Sequence, residues 1–328
     1  MLGYMFMNDK NKIIKQTFQK VFDDLEVVLG WKQGFDSLHM TPAFIRKASD
    51  LDQLVFNPQC VQNLSGYLFS TLKAADPEKQ GKIGICVKGC DSRSLTALIQ
   101  EGLVERDRVY IVGIPCKGVV DVKKLRNLKP SLTEISGITI EADEVVIEAD
   151  GKTERFPIAD VLAHKCLQCR YPNPLIYDAL IGEPVTARVA QDAARPAVEQ
   201  LDALSLEARR NFWLTEMDRC IRCYACRNAC PMCVCQDSCI AETRSPKWLS
   251  QRSDISEKFL FHMIRTVHLA GRCTECGECM RVCPVDIPVT LLMEKMNCIV
   301  KELFDYEAGI DPESKPPLQT YDSSKTGI

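Results

Sequence analysis

Two cysteine runs carry the clearest chemistry in the chain: Cys220-x2-Cys223-x2-Cys226-x3-Cys230-Pro231 and Cys273-x2-Cys276-x2-Cys279-x3-Cys283-Pro284. Three thiolates spaced by two residues let a short loop wrap one cubane and ligate three of its irons. The fourth cysteine, followed by proline, leads the chain away to the other cluster. The spacing therefore assigns Cys220, Cys223, Cys226 and Cys283 to one [4Fe–4S] cluster, and Cys273, Cys276, Cys279 and Cys230 to a second. Structural zinc is the bland alternative. It favours two CxxC pairs and gives no reason for a fourth cysteine before proline, twice. Cys233, Cys235 and Cys239 follow at once; three thiols are one short of a further site, and packing near the first cluster is the preferred reading.

A third site is expected upstream. Lys82–Lys88 reads as a strand, Gly89–Ser92 as a turn, Arg93–Val104 as a helix and Arg108–Ile114 as a strand. Such a βαβ unit has parallel strands, so Cys90 and Cys116, just past their carboxyl ends, become neighbours at the ligand-binding edge of the sheet. Cys166-x2-Cys169 supplies two more thiols. A thioredoxin-like pair would need Cys166 at the start of a long helix, which Tyr171-Pro172-Asn173-Pro174 forbids. Cys90, Cys116, Cys166 and Cys169 are thus a third candidate [4Fe–4S] site, with unligated structural cysteines the main rival and zinc a lesser one. Cys86, inside its strand, reads as an apolar filler. Cys60 and Cys298 receive no role.

The elements that must position these thiols fall into segments. Residues 1–80 read as an N-terminal helical segment, with helices over Asn8–Leu29 and Pro58–Leu72, the latter carrying Cys60. Residues 81–182 form an α/β domain, whose hairpin Glu144–Ala149 and Lys152–Phe156 turns at Asp150-Gly151. A linker over 183–200 leads into a mainly α-helical two-cluster domain over 201–308. Its long step between the cysteine runs holds a helix over Ser253–Leu269, and Val289–Leu303 forms another. This arrangement is similar to the helical two-cluster ferredoxin domain of succinate dehydrogenase iron–sulfur subunits. The tail 309–328, rich in Pro, Ser and Lys, has little to bury.

The 328 residues include 18 cysteines, 41 Lys+Arg, 44 Asp+Glu and 4 histidines, with a net charge of −3. That balance offers no basic surface for nucleic acid. No apolar run approaches the roughly 20 residues that span a bilayer, and Met1–Met7 is too short for a signal sequence. Crowded thiols without a secretory signal point to a reducing cytoplasm. His39, His164, His262 and His268 are scattered, so no acid–base constellation competes with the thiols. For His262 and His268 the ordinary roles are packing or a hydrogen bond to a cluster.

Cys90-Asp-Ser-Arg-Ser-Leu-Thr-Ala-Leu-Ile-Gln-Glu-Gly-Leu-Val, Ile-Val-Gly-Ile-Pro-Cys116 and Lys165-Cys-Leu-Gln-Cys169 resemble the beta subunits of coenzyme F420-reducing (deazaflavin-reducing) hydrogenases and formate dehydrogenases. RCIRCYACRNACPMCVCQDSC resembles the ferredoxin domain of the formate dehydrogenase members. The resemblance covers roughly residues 80–300. It implies an electron-transfer subunit of a larger oxidoreductase, of the formate dehydrogenase, hydrogenase or heterodisulfide reductase kind, working with a flavoprotein or a metal-containing catalytic subunit. It also implies FAD, but the family's Gly-Gly turn before the helix is here Asp91-Ser92, where a carboxylate repels a phosphate. The family's long segment after that helix is here only Glu105–Arg108. On that ground FAD binding is expected to be absent or altered and the chain to be mainly an electron conduit, a flavin-containing subunit reducing a deazaflavin, nicotinamide or ferredoxin is the alternative, and a zinc-stabilised interaction module or cluster-based sensor is a rival of another class.

Overall fold

The structure is a computed structural model that describes residues 2–74, 81–132, 134–235, 238–243, 250 and 252–320. It divides into two compact units, Met1–Arg93 with Val104–Gln191, and Ser94–Leu103 with Asp192–Ile328.

The first unit is built on a five-stranded sheet of β1 (Leu25–Gln33), β2 (Met40–Ile45), β3 (Lys82–Val87), β4 (Val109–Gly113) and β8 (Ala179–Leu180), in the order β2-β1-β3-β4-β8. Only β2 runs antiparallel; β1, β3, β4 and β8 are parallel neighbours. A separate antiparallel sheet contains β5 (Ile135–Glu141), β6 (Glu144–Ala149) and β7 (Lys152–Pro157). Asp150 and Gly151 both take positive φ at its tight turn, 51° and 72°, as a type I′ hairpin requires. Val145, Ile147 and Ile138 bury one face of this sheet against Leu125, Val161 and Leu162.

Three sequence-based boundaries shift, each for a physical reason. The first helix ends at Gln19, and Leu25–Gln33 is a strand rather than its continuation. Val27, Val28, Leu29 and Trp31 are all at most 1% exposed, so this strand is buried on both faces. Its apolar run then lacks the alternation that separates strand from helix. At Gly30 a Cβ would sit 2.4 Å from Leu54 Cδ2, so any larger residue would force the buried Leu54 side chain to shift. The second helix starts at Ser65, not Pro58. Asn57 and Asn63 accept hydrogen bonds from the amides of Gln59 and Ser65, local turns that compete with a helix and leave Cys60 in a buried loop. Finally, the helix of the βαβ unit begins at Gly89 and includes Cys90, Asp91 and Ser92. A Cβ on Gly89 would lie 1.9 Å from the Tyr171 carbonyl oxygen, so glycine is what lets the two chains meet.

The second unit is helical. Its longer helices are Leu206–Asp218, capped by the Ser205 hydroxyl, Ile255–His268, capped by the Asp254 carboxylate, and Thr290–Phe304. Met217, Ile287 and Val289 form a core with Cys220 and Cys283. The start of the tail is held: the Gln100 side chain donates to the carbonyls of Asp311 and Ser314, and Pro316 is buried. Positions 321–328 lie outside the described residues.

Candidate metal centres

The two cysteine runs share one backbone design. In the first, Arg222 and Tyr224 take left-handed φ of 50° and 62°; in the second, Glu275 and Gly277 take 55° and 69° at the equivalent positions. Three of these four are not glycine, and the conformation costs a side-chain-bearing residue about 1–3 kcal/mol. Alternating left- and right-handed residues turn successive amides inward, which makes an anion-binding nest. The Arg222 amide accordingly donates to Cys220 Sγ at 3.4 Å. A one-turn helix follows each loop, Ala225–Asn228 and Glu278–Arg281, and then the Cys-Pro step carries the chain across.

That step decides which thiols meet. A cavity of about 340 Å³ is lined by Cys220, Cys223 and Cys226 of the first run and by Cys283 of the second. A cavity of about 430 Å³ is lined by Cys273, Cys276 and Cys279 of the second run and by Cys230 of the first. Among the described residues no three His, Cys, Asp or Glu side chains converge closely enough to chelate a single metal ion. Burial pushes the thiols up: Cys279 to about 12, and Cys220, Cys226 and Cys273 in the same direction. Without metal these groups stay protonated; a bound metal would displace the protons and take up the thiolates.

Two basic side chains of the helix Ile255–His268 reach this region. His262 Nε2 lies 3.4 Å from Cys220 Sγ, and burial, then the charge of Arg265, lowers its pKa to about 3. Arg265 is 3% exposed and lines the larger cavity. Its Nη2 donates to the Cys226 carbonyl at 3.0 Å and, after the hydrogen bond with Cys230, the side chain helps hold the Cys233 thiol down to about 6, but among the described residues its Nε and Nη1 have no hydrogen-bond partner. A buried guanidinium with idle donors is costly unless an anion stands before it. An iron–sulfur cluster with four thiolates is such an anion, so the residues present fit the group. Sequence reasoning missed Arg265, although Lys258, His262 and Arg265 fall at i, i+4 and i+7, a basic stripe on one helical face, and all three are buried.

In the first unit, Cys90 and Cys116 follow the carboxyl ends of the paired strands β3 and β4. Burial raises Cys116 to about 12, with Cys166 and Cys169 adding to the effect, and Cys169 to about 11, with Cys166 adding. Cys90 is raised by burial first, and Cys116 contributes. Val87 of β3 stands opposite Gly113 of β4, so Cys90 and Cys116 leave adjacent strand ends. The Gly118 amide donates to Cys116 Sγ at 3.4 Å and the Val119 amide to Cys166 Sγ at 3.3 Å. Cys166 sits in a single helical turn, His164–Leu167. Cys86 is buried inside β3, and Cys60 receives the Asn57 amide at 3.4 Å.

One expectation is corrected here. The Asp91 carboxylate does not stand at the mouth of the turn. It is fully buried, accepts from the amides of Lys88 and Leu64, and pairs with Lys88. Its charge is paired with the Lys88 ammonium and two amides rather than facing solvent, although it still adds to the burial that pushes the neighbouring Cys90 thiol up. Arg93, at the same helix start, lies with its guanidinium carbon 4.4 Å from the centroid of the Tyr171 ring.

Residues 216–287 match a family described as the 4Fe-4S dicluster domain. The second unit thus carries a dicluster domain. Over 346 residues the chain is 22% identical to the F420-dependent formate dehydrogenase subunit beta of Methanocaldococcus jannaschii, covering 89% of both chains. It is 23% identical over 349 residues to the F420-dependent formate dehydrogenase 1 subunit beta of Methanococcus maripaludis, covering 89% of this chain and 88% of the relative. The chain is similar to these beta subunits over most of its length. A chain of the F420-reducing [NiFe] hydrogenase complex from Methanosarcina barkeri superposes with a TM-score of 0.39 at 11% identity, over 50% of this chain and 59% of that one. Among the described residues no helix is long and apolar enough to cross a membrane.

Proposed function

We propose that the chain is the iron–sulfur electron-transfer subunit of a multi-subunit oxidoreductase of the formate dehydrogenase type, using coenzyme F420 as its relatives' names state. The observation that carries this reading is the exchange of fourth cysteines: Cys283 lines the cavity of the first run and Cys230 that of the second. Clusters bound there supply one-electron transfer. The protein's part is to hold the thiolates, exclude water and set potentials through amide and side-chain donors to sulfur. Cys223 is exposed, which makes the first run's loop the face where a partner subunit would exchange electrons.

Cys90, Cys116, Cys166 and Cys169 hold a third [4Fe–4S] cluster in this reading. Metal analysis of anaerobically purified protein tests it: about 12 Fe per chain supports three clusters and about 8 only the dicluster domain. Zinc without iron overturns the assignment. A flavin-containing subunit is the second reading, and the inward-turned, Lys88-paired Asp91 favours keeping it, since the carboxylate is paired with an ammonium rather than turned outward. Stoichiometric FAD released by acid would replace the simple conduit with that reading.

A further inference from the structure

From this proposed function we infer that Arg265 is a shared cation that raises the reduction potentials of both clusters of the dicluster domain. The inference deepens that reading and rests on it. Arg265 stands between the two sites. Its Nη2 binds the carbonyl of Cys226, a residue of the smaller cavity, while the side chain itself lines the larger one. The thiols whose charges bear on it come from both: Cys226 on one side, Cys230 and Cys279 on the other, with Cys233 beside them. Among the described residues Nε and Nη1 have no hydrogen-bond partner, at 3% exposure.

A cluster gains one negative charge when it is reduced. A fixed positive charge held in a poorly solvated interior stabilises the reduced form more than the oxidised one, and so raises the potential. The helix Ile255–His268 is anchored at its start by the Asp254 cap and by the Lys258 ammonium on the Asp218 carbonyl, 2.7 Å away. The cation is therefore carried on a rigid element.

The test is an anaerobic redox titration of the full chain, followed by electron paramagnetic resonance, comparing wild type with Arg265→Gln and Arg265→Lys, with iron counted in each. Arg265→Gln is expected to keep its iron and to shift both reduction equilibria at least tenfold toward the oxidised form, about 59 mV for a one-electron couple. Arg265→Lys, which keeps the charge, should titrate within about threefold of wild type at both clusters. Wild-type potentials in an iron-replete Arg265→Gln overturn the inference and leave the proposed function standing. Should Arg265→Gln lose its iron, Arg265→Lys decides: a tenfold shift at both clusters despite retained charge overturns the role assigned here, and near-wild-type potentials support it. Wild-type protein without cubane signals removes the underlying reading instead.

Discussion

Lys88 Nζ lies 3.1 Å from Asp91 Oδ2, and both side chains are almost wholly buried, at 1% and 0% exposure. The ammonium also binds the carbonyls of Cys60 and Gln62 and lies 4.0 Å from the centroid of the Trp31 ring. Asp91 in turn holds the first turn of the helix that carries Cys90. One ion pair thus ties the loop around Cys60 to the backbone that presents Cys90.

Removing one partner of such a pair leaves an uncompensated buried charge, which typically costs about 3–5 kcal/mol. Lys88→Met is therefore expected to lower the urea midpoint by that equivalent, and Lys88→Met with Asp91→Asn to recover part of the loss. A double variant no more stable than Lys88→Met would show that the backbone contacts of the ammonium, not the charge pair, dominate.

The exchange of fourth cysteines makes a pairing prediction. Cys283→Ser should alter the same resonance signal as Cys220→Ser, although Cys283 belongs to the other run, and Cys230→Ser should match Cys273→Ser. Signals that group by run, Cys230 with Cys220 and Cys283 with Cys273, would contradict the cavities described above.

The third site predicts an uneven response among the cysteines of the first unit. Cys116→Ser and Cys169→Ser should each cost about four of about 12 irons. Cys86→Ala should cost none, because its thiol is held inside β3. Equal iron in all three variants would return Cys116 and Cys169 to packing roles.

The parts legible in the sequence were those set by short-range rules. Two-residue spacing, proline after the fourth cysteine and a βαβ pattern group Cys220 with Cys283 and Cys90 with Cys116; Cys220 and Cys283 line one cavity, and Cys90 and Cys116 follow the paired strands β3 and β4. What stayed hidden depends on partners distant in sequence. Leu25–Gln33 hides its alternation because neighbours cover both faces. Asp91 reads as a surface carboxylate until the chain around Cys60 and Gln62 encloses Lys88. Arg265 reads as one more charge on an amphipathic helix until the crossing cysteines surround it.

His262 gives a pH signature with a definite sign. Burial, and then the charge of Arg265, lowers its pKa to about 3 in the folded chain, against about 6.5 when unfolded. Above about pH 6.5 both states are neutral and the residue makes stability no more pH-dependent. Between about pH 6.5 and 3 the unfolded chain binds a proton that the folded chain refuses, so stability falls as pH falls, by up to about 1.4 kcal/mol per unit. His262→Gln lacks this term. The stability of wild type relative to His262→Gln should therefore drop by about 1.4 kcal/mol between pH 7.5 and pH 5.5, read from urea midpoints of the metal-free chain, the state in which only burial and Arg265 act on the imidazole. A difference that is flat across that range would mean that His262 takes up a proton in the folded state, and with it a second N–H at Nδ1, which has no partner among the described residues.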